Sequence, residues 1–256
     1  MEVTRGTLLG GRVRHDQPAS GHRTGIEPVL LAAAIPARPG ERALEGGSGV
    51  GTALLCLAHR VANIRGLGIE RDAGLVRLAQ SNAAANASSG LSFVVEDVGA
   101  LRTGERFDHA FANPPWHAPA GTASPDAGRE RAKRGAPGLL ATWAQALAAP
   151  LRHHGTLTLV IAASVLPDGL AALARAGCGS AAVMPLWPKA QVAAKLTLIR
   201  GIKGGRGGCR LLPGLVLHEA DGRYTEAATA ILRDGAALAF QASAESRVTP
   251  APGPDA

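Results

Sequence analysis

A chain of 256 residues can bury a sizeable core, and with 46% apolar and 18% charged residues this one is globular. Lys and Arg number 27 against 20 Asp and Glu, a net charge of +7 that suits a polyanionic partner; only four are Lys, so a GC-rich genome accounts for it equally well. The longest charge-free run, Gly135–Leu151, is too short and too interrupted (Pro137, Pro150) to span a bilayer, and cysteines at 56, 178 and 209 make neither a disulfide framework nor a zinc site.

The chain starts without an apolar secretion signal, so a cytoplasmic protein with reduced thiols, no metal and no membrane partner is expected. Along it, short apolar runs alternate with longer helical patterns, the mark of βαβ units and a parallel sheet. Arg42 to Glu45 reads as a buried strand entering Gly46-Gly47-Ser48-Gly49-Val50-Gly51. Val50, Leu54, Leu57, Ala58 and Val61 then recur on one helical face. Ile64 to Ile69 is a second strand ended by Glu70, and Asp72 caps a helix reaching Ala85. Leu91 to Val95 and Phe107 to Ala112 are the third and fourth strands, running into Glu96-Asp97 and Asn113-Pro114-Pro115-Trp116.

Residues 122–137 read as a polar loop, and a helix is expected from Gly138 to Leu151. His153-His154 reads as a turn before a strand at Thr156–Ala162, and Leu166–Ala176 as a short helix. Extended pieces follow at Ala181–Leu186, Lys195–Arg200 and Leu211–Leu217, then a helix from Tyr224 to Leu232 capped by Thr225. Trp143 and Trp187 read as core or interface, and residues 243–256 as a disordered tail after one domain over 1–242.

Two motifs carry chemistry. Glycines at 47, 49 and 51 permit positive φ and close approach of a ligand, and the helix that follows offers unpaired N–H groups to an anion. The spacing departs from the Gly-x-Gly-x-x-Gly of dinucleotide folds, which disfavours a nicotinamide oxidoreductase. A carboxylate ahead of alternating glycines suits an amino-acid moiety; Glu70 suits ribose hydroxyls and Asp97 an adenine amino group. Open α/β sheets bind ligands at strand C-termini, where all three acids fall. In Asn113-Pro114-Pro115-Trp116 two prolines stiffen the turn, Asn113 adds a carbonyl and Trp116 a flat face. Two acceptors on a conjugated –NH₂ favour its nucleophilic form and stabilise the charge that develops on attack.

These residues resemble the class I S-adenosylmethionine-dependent methyltransferases, and Asn113-Pro114-Pro115-Trp116 resembles the Asn-Pro-Pro-aromatic signature of enzymes that methylate adenine N6, cytosine N4 or the glutamine amide. The upstream Gln17-Pro18, Gly21-His22-Arg23-Thr24 and Glu27 to Leu31 look like the segment that closes the cofactor loop in bacterial valine-tRNA adenine-N6 methyltransferases. The resemblance implies a single Rossmann-like α/β domain, a seven-stranded mostly parallel sheet with helices on both faces. Residues 1–40 form its closing segment. It implies S-adenosyl-L-methionine bound by Arg23, Thr24, Glu45, Gly47, Ser48, Gly49, Gly51, Glu70, Arg71, Asp97, Val98 and Asn113. Asn113, Pro114, Pro115 and Trp116 would be catalytic.

The RNA expectation, tRNA in particular, rests otherwise on charge. Arg129, Arg131, Lys133 and Arg134 follow the Pro-Pro-Trp turn, and Lys203 and Arg206 belong to a second, glycine-interleaved cluster. The alternatives are a protein glutamine-amide N5 methyltransferase and a non-catalytic RNA-binding module. The oligomeric state stays open.

Overall fold

The computed structural model describes residues 2–20, 24–115 and 138–240. The chain opens on an antiparallel hairpin that the sequence reading left unassigned, β1 (Val3–Leu8) and β2 (Val13–Pro18), followed by helix α1 (Glu27–Ala34) with Pro28 in its first turn. Then come β3 (Arg42–Gly46), α2 (Thr52–Arg60), β4 (Arg65–Glu70), α3 (Ala73–Ala85), β5 (Leu91–Val95) and β6 (Phe107–Ala112), the strands and α3 within a residue of the expected bounds and α2 starting two residues after Val50. Asp72 caps α3 as expected, its carboxylate accepting from the Gly74 and Leu75 N–H groups at 2.7 and 3.1 Å.

The second half holds α4 (Leu139–Ala148), β7 (Leu151–Ala162), α5 (Leu166–Arg175), β8 (Cys178–Lys189), β9 (Leu196–Lys203), β10 (Arg210–Leu211), β11 (Leu215–His218) and α6 (Glu226–Asp234). Thr225 caps α6 through Ala228 N–H at 3.1 Å. Two expectations need correction. His153 and His154 lie inside β7, not in a turn before it; the register against β6 slips there and His154 takes φ +66°, so the strand continues through a bulge. The single extended piece at 211–217 is two short strands.

The central sheet runs β8-β9-β7-β6-β3-β4-β5, seven strands with β9 alone antiparallel to its neighbours. The short β10 and β11 add along β8, making nine. Alternate residues of each strand enter opposite cores. Ala43, Phe111 and Val160 pack with α1, α2, α3 and α6, whereas Leu44, Ala110 and Leu159 pack with α4 and α5. The result is a Rossmann-like α/β fold with helices on both faces.

The hairpin joins this body through α3. Asn82 and Asn86, one helical turn apart, imitate a neighbouring strand: each side-chain amide pairs with both N–H and C=O of a β2 residue, Asp16 and Arg14 respectively, at 2.8–2.9 Å. Asn82, 2% exposed, also donates to Val50 O at 3.1 Å, tying β2 to the glycine turn. No helix among the described residues is long and apolar enough to cross a membrane. The tail at 243–256 lies outside the described residues.

Candidate active site

Strand register assembles the site. Gly46 pairs with Ile69 on one side and Ala112 on the other, so Gly47, Glu70 and Asn113 leave three adjacent strands along one rim. Glu70 in turn pairs with Val95, which brings Glu96 and Asp97 to the same rim. It is the carboxyl end of the parallel strands, at the point where connections from β3 and β6 diverge.

The glycine turn has the shape that its sequence requires. Gly47 sits at φ +65°, and a Cβ there would fall 2.7 Å from Trp143 Cη2. Gly49, at φ +54°, would place a Cβ in open space, so its free side faces outward. Ser48 N–H donates to Ile69 O at 3.0 Å and Gly51 N–H to Ser48 O at 2.8 Å, which locks the turn onto β4 and starts α2. The Ser48 hydroxyl is buried with no hydrogen-bond partner among the described residues.

Glu45, at the end of β3, is 4% exposed and, among the described residues, accepts from Leu54 N–H alone, at 3.3 Å. Burial pushes its carboxyl well above the usual range, against the pull of that N–H, and the charge of Glu70 adds to the rise. A buried carboxyl with one long hydrogen bond is a group that a ligand's ammonium would satisfy. Its neighbour Cys56 is pushed up to about 12, by burial first and by Glu45 second, so this thiol is inert.

Glu70 spans the turn: Oε2 accepts from Gly49 N–H at 3.0 Å and Oε1 from Asp72 N–H at 2.9 Å. A carboxylate offers about four acceptor sites, so capacity remains for two hydroxyls. Asp97 is exposed and takes Gly99 N–H at 2.7 Å, while Val98 is buried against Gly46. Arg71 is exposed at the rim. Asn113 and Pro115 are half-buried and Pro114 buried. Unpaired Ser48, under-satisfied Glu45, the free side of Gly49 and the α2 N-terminus together fit a zwitterionic amino-acid group with a nucleoside beyond it.

Thr24 reaches this neighbourhood. Its N–H donates to Gln17 Oε1 at 3.1 Å, and its hydroxyl lies 3.4 Å from both His15 Nε2 and Thr52 Oγ1. His15 and Thr52 carry no motif in the sequence, and Trp143, expected in the core or an interface, packs against the glycine turn. Only the period-two placement of His15 and Gln17 on one face of β2 hinted at the first. Arg23, Trp116, Arg129, Arg131, Lys133 and Arg134 lie outside the described residues. Lys203 and Arg206 are not brought to this rim: β9 runs against β7, so its end stands at the opposite edge of the sheet, with Lys203 Nζ donating to Ala176 O at 2.9 Å.

Residues 23–165, more than half of the chain, match the family model described as the methyltransferase small domain. This chain belongs to that family. No curated protein matches it. Among solved structures the methyltransferase is similar to a predicted O-methyltransferase from Agrobacterium tumefaciens, at 21% identity and TM-score 0.69, covering 82% of this chain and 97% of that one. A methyltransferase from Pyrococcus furiosus matches at 19% identity and TM-score 0.54, over 75% and 90% of the two chains. A SAM-dependent O-methyltransferase from Thermotoga maritima matches at 16% identity and TM-score 0.54, over 73% and 68%. At these identities the likeness is one of fold.

Proposed function

We propose that this methyltransferase transfers a methyl group to the exocyclic N6 of adenine in RNA, with tRNA as its substrate class. The cofactor is S-adenosyl-L-methionine, which supplies an electrophilic methyl group on a sulfonium. Glu45 takes its ammonium, with the turn from Gly47 through Ser48 and Gly49 to Gly51 and the α2 N-terminus against its carboxylate. Glu70, flanked by Arg71, takes the ribose hydroxyls, and Asp97 with Val98 takes the adenine edge. Arg23 and Thr24 close the site from the hairpin side.

The observation that most supports an amine substrate is that Asn113-Pro114-Pro115 follows directly on Ala112, the register partner of Gly46. The Asn113 side-chain carbonyl and the Pro114 carbonyl accept from the two amine hydrogens, and Trp116 stacks on the base. No general base is needed before attack, because the two acceptors localise the lone pair and stabilise the charge that grows on nitrogen; the N–C bond would form as the sulfonium's S–C bond breaks to leave a neutral thioether, and the methylated nitrogen would then lose one proton to solvent. Arg129, Arg131, Lys133 and Arg134 hold phosphates beside the target base. Residues 1–242 act as one domain with 1–40 as its closing segment, in the cytoplasm.

Tritium transfer from labelled cofactor into bulk tRNA, followed by nucleoside analysis, tests this. The expected product is N6-methyladenosine. Label entering protein alone moves the assignment to a glutamine amide, and cofactor binding without any transfer moves it to a non-catalytic RNA-binding module.

A further inference from the structure

Among the described residues, the two rims of the sheet differ in charge. Glu70, Asp72, Glu96 and Asp97, with Arg71 among them, crowd the carboxyl ends of β4 and β5. At the other rim almost every strand end is basic. Across the sheet in order, Arg175 precedes β8, Lys203 ends β9 with Arg206 beyond it, Arg152 lies at the start of β7, Arg106 precedes β6, and Arg42 and Arg65 open β3 and β4. Register brings these ends together, with Cys178 opposite Lys203, Thr156 opposite Ile202 and Arg42 opposite Arg65.

The carboxylates on this rim are already matched. Glu105 pairs with Arg42, Asp108 with Arg152, and Glu41 lies 2.9 Å from His109. Among the described residues, no carboxylate stands within ion-pair distance of Arg65, Arg106, Arg175, Lys203 or Arg206, and all but Lys203 are exposed. The row ends in a groove of about 640 Å³ whose lining includes Arg12, His59, Arg65, Asn86 and Ser88 and contains no carboxylate.

We propose that this basic rim is a second phosphodiester-contact surface, which holds the body of a folded RNA while its target base lies at the opposite rim. The inference rests on the RNA reading above. Six strand ends at about 4.8 Å spacing make a row of roughly 24 Å. The eight residues of β9 separate the two rims by roughly 25 Å. Guanidinium groups suit phosphate oxygens, and contacts of this kind position an RNA without reading its sequence. The acidic stretch at the ends of β4 and β5 repels the backbone, so an RNA engaged at the site finds further phosphate contacts at the basic rim.

The test compares Arg65→Gln/Arg106→Gln/Arg175→Gln with a control of equal charge loss at exposed positions elsewhere, Arg5→Gln/Arg77→Gln/Arg223→Gln. Binding of full-length tRNA and of a short stem-loop is measured across a salt series, with cofactor affinity as the folding check. The rim triple is expected to weaken tRNA binding about tenfold or more and to reduce the slope of log K against log salt by roughly 2–3, one phosphate contact per arginine. The stem-loop, too short to reach both rims, loses little. Equal loss in the two triples, or an unchanged slope in the rim triple, overturns the proposal. Failure of the wild type to methylate any RNA overturns the reading beneath it, and the salt series separates the two failures.

Discussion

His15 Nε2 lies 2.8 Å from Thr52 Oγ1, a contact that fastens the N-terminal hairpin to the first residue of the helix behind the glycine turn. His15 is 2% exposed. Burial lowers its pKa below 6.5, with Asp16 pulling the other way. For a base whose folded pKa lies below its unfolded one, stability is complete above 6.5 and is lost as pH falls from there through the folded value. His109, lowered chiefly by burial, contributes with the same sign. Thermal melts should therefore fall between about pH 7 and pH 5. His15→Gln, which keeps a partner for Thr52 and cannot be protonated, should flatten that slope; a slope identical to wild type would remove His15 from the account.

Cofactor affinity should rise with pH. Glu45 holds its proton above the usual carboxyl range in the free protein, and only the ionised form pairs with an ammonium, so binding releases a proton. Calorimetry in two buffers of different ionisation enthalpy reads that release directly. Glu45→Gln should abolish it and weaken binding roughly 10- to 100-fold, the loss of about 1.5–3 kcal/mol expected for a charged hydrogen bond.

Gly47→Ala meets two obstacles, a φ of +65° and an approach of 2.7 Å to Trp143 Cη2. Adding Trp143→Ala removes the clash and leaves the backbone strain of about 1 kcal/mol. The single variant should lose cofactor binding, and the double variant should recover part of it. Equilibrium dialysis with labelled cofactor distinguishes them; no recovery would place the whole penalty in the backbone.

Asn113→Ala should retain cofactor affinity while turnover falls by roughly 10²–10³, the usual loss when one preorganised electrostatic contact is removed. Single-turnover transfer alongside cofactor binding separates the two effects. Unchanged turnover would take the catalytic role away from Asn113.

Removing the Asn82 amide should cost more than a typical surface change. Asn82→Ala leaves Asp16 N–H and O, both half-buried, and buried Val50 O without partners, at about 1–3 kcal/mol for the buried carbonyl and less for the two that water reaches. Limited proteolysis should then cut the hairpin before the sheet opens.

Most of the fold is legible in the sequence, because its signals are local. Apolar alternation marked β3 to β6, a single Asp marked the start of α3, and two prolines after Asn113 marked the end of β6. Glycine spacing with acids at strand ends was enough to point to a ligand with an amino-acid moiety and a nucleoside, since each residue type answers to one part of it; the methyltransferase came from the resemblance those residues and Asn113-Pro114-Pro115-Trp116 carry. Other features depended on pairs of segments far apart in the chain. Nothing local to β2 says that its backbone will be met by the amides of Asn82 and Asn86, or that buried His15 will find Thr52. Direction mattered most for the basic cluster: Lys203 and Arg206 have the composition of a phosphate-binding loop wherever they stand. Only the antiparallel insertion of β9 puts them at the far rim, because a strand's sequence fixes which faces its side chains take and leaves to its partners the end from which it enters the sheet.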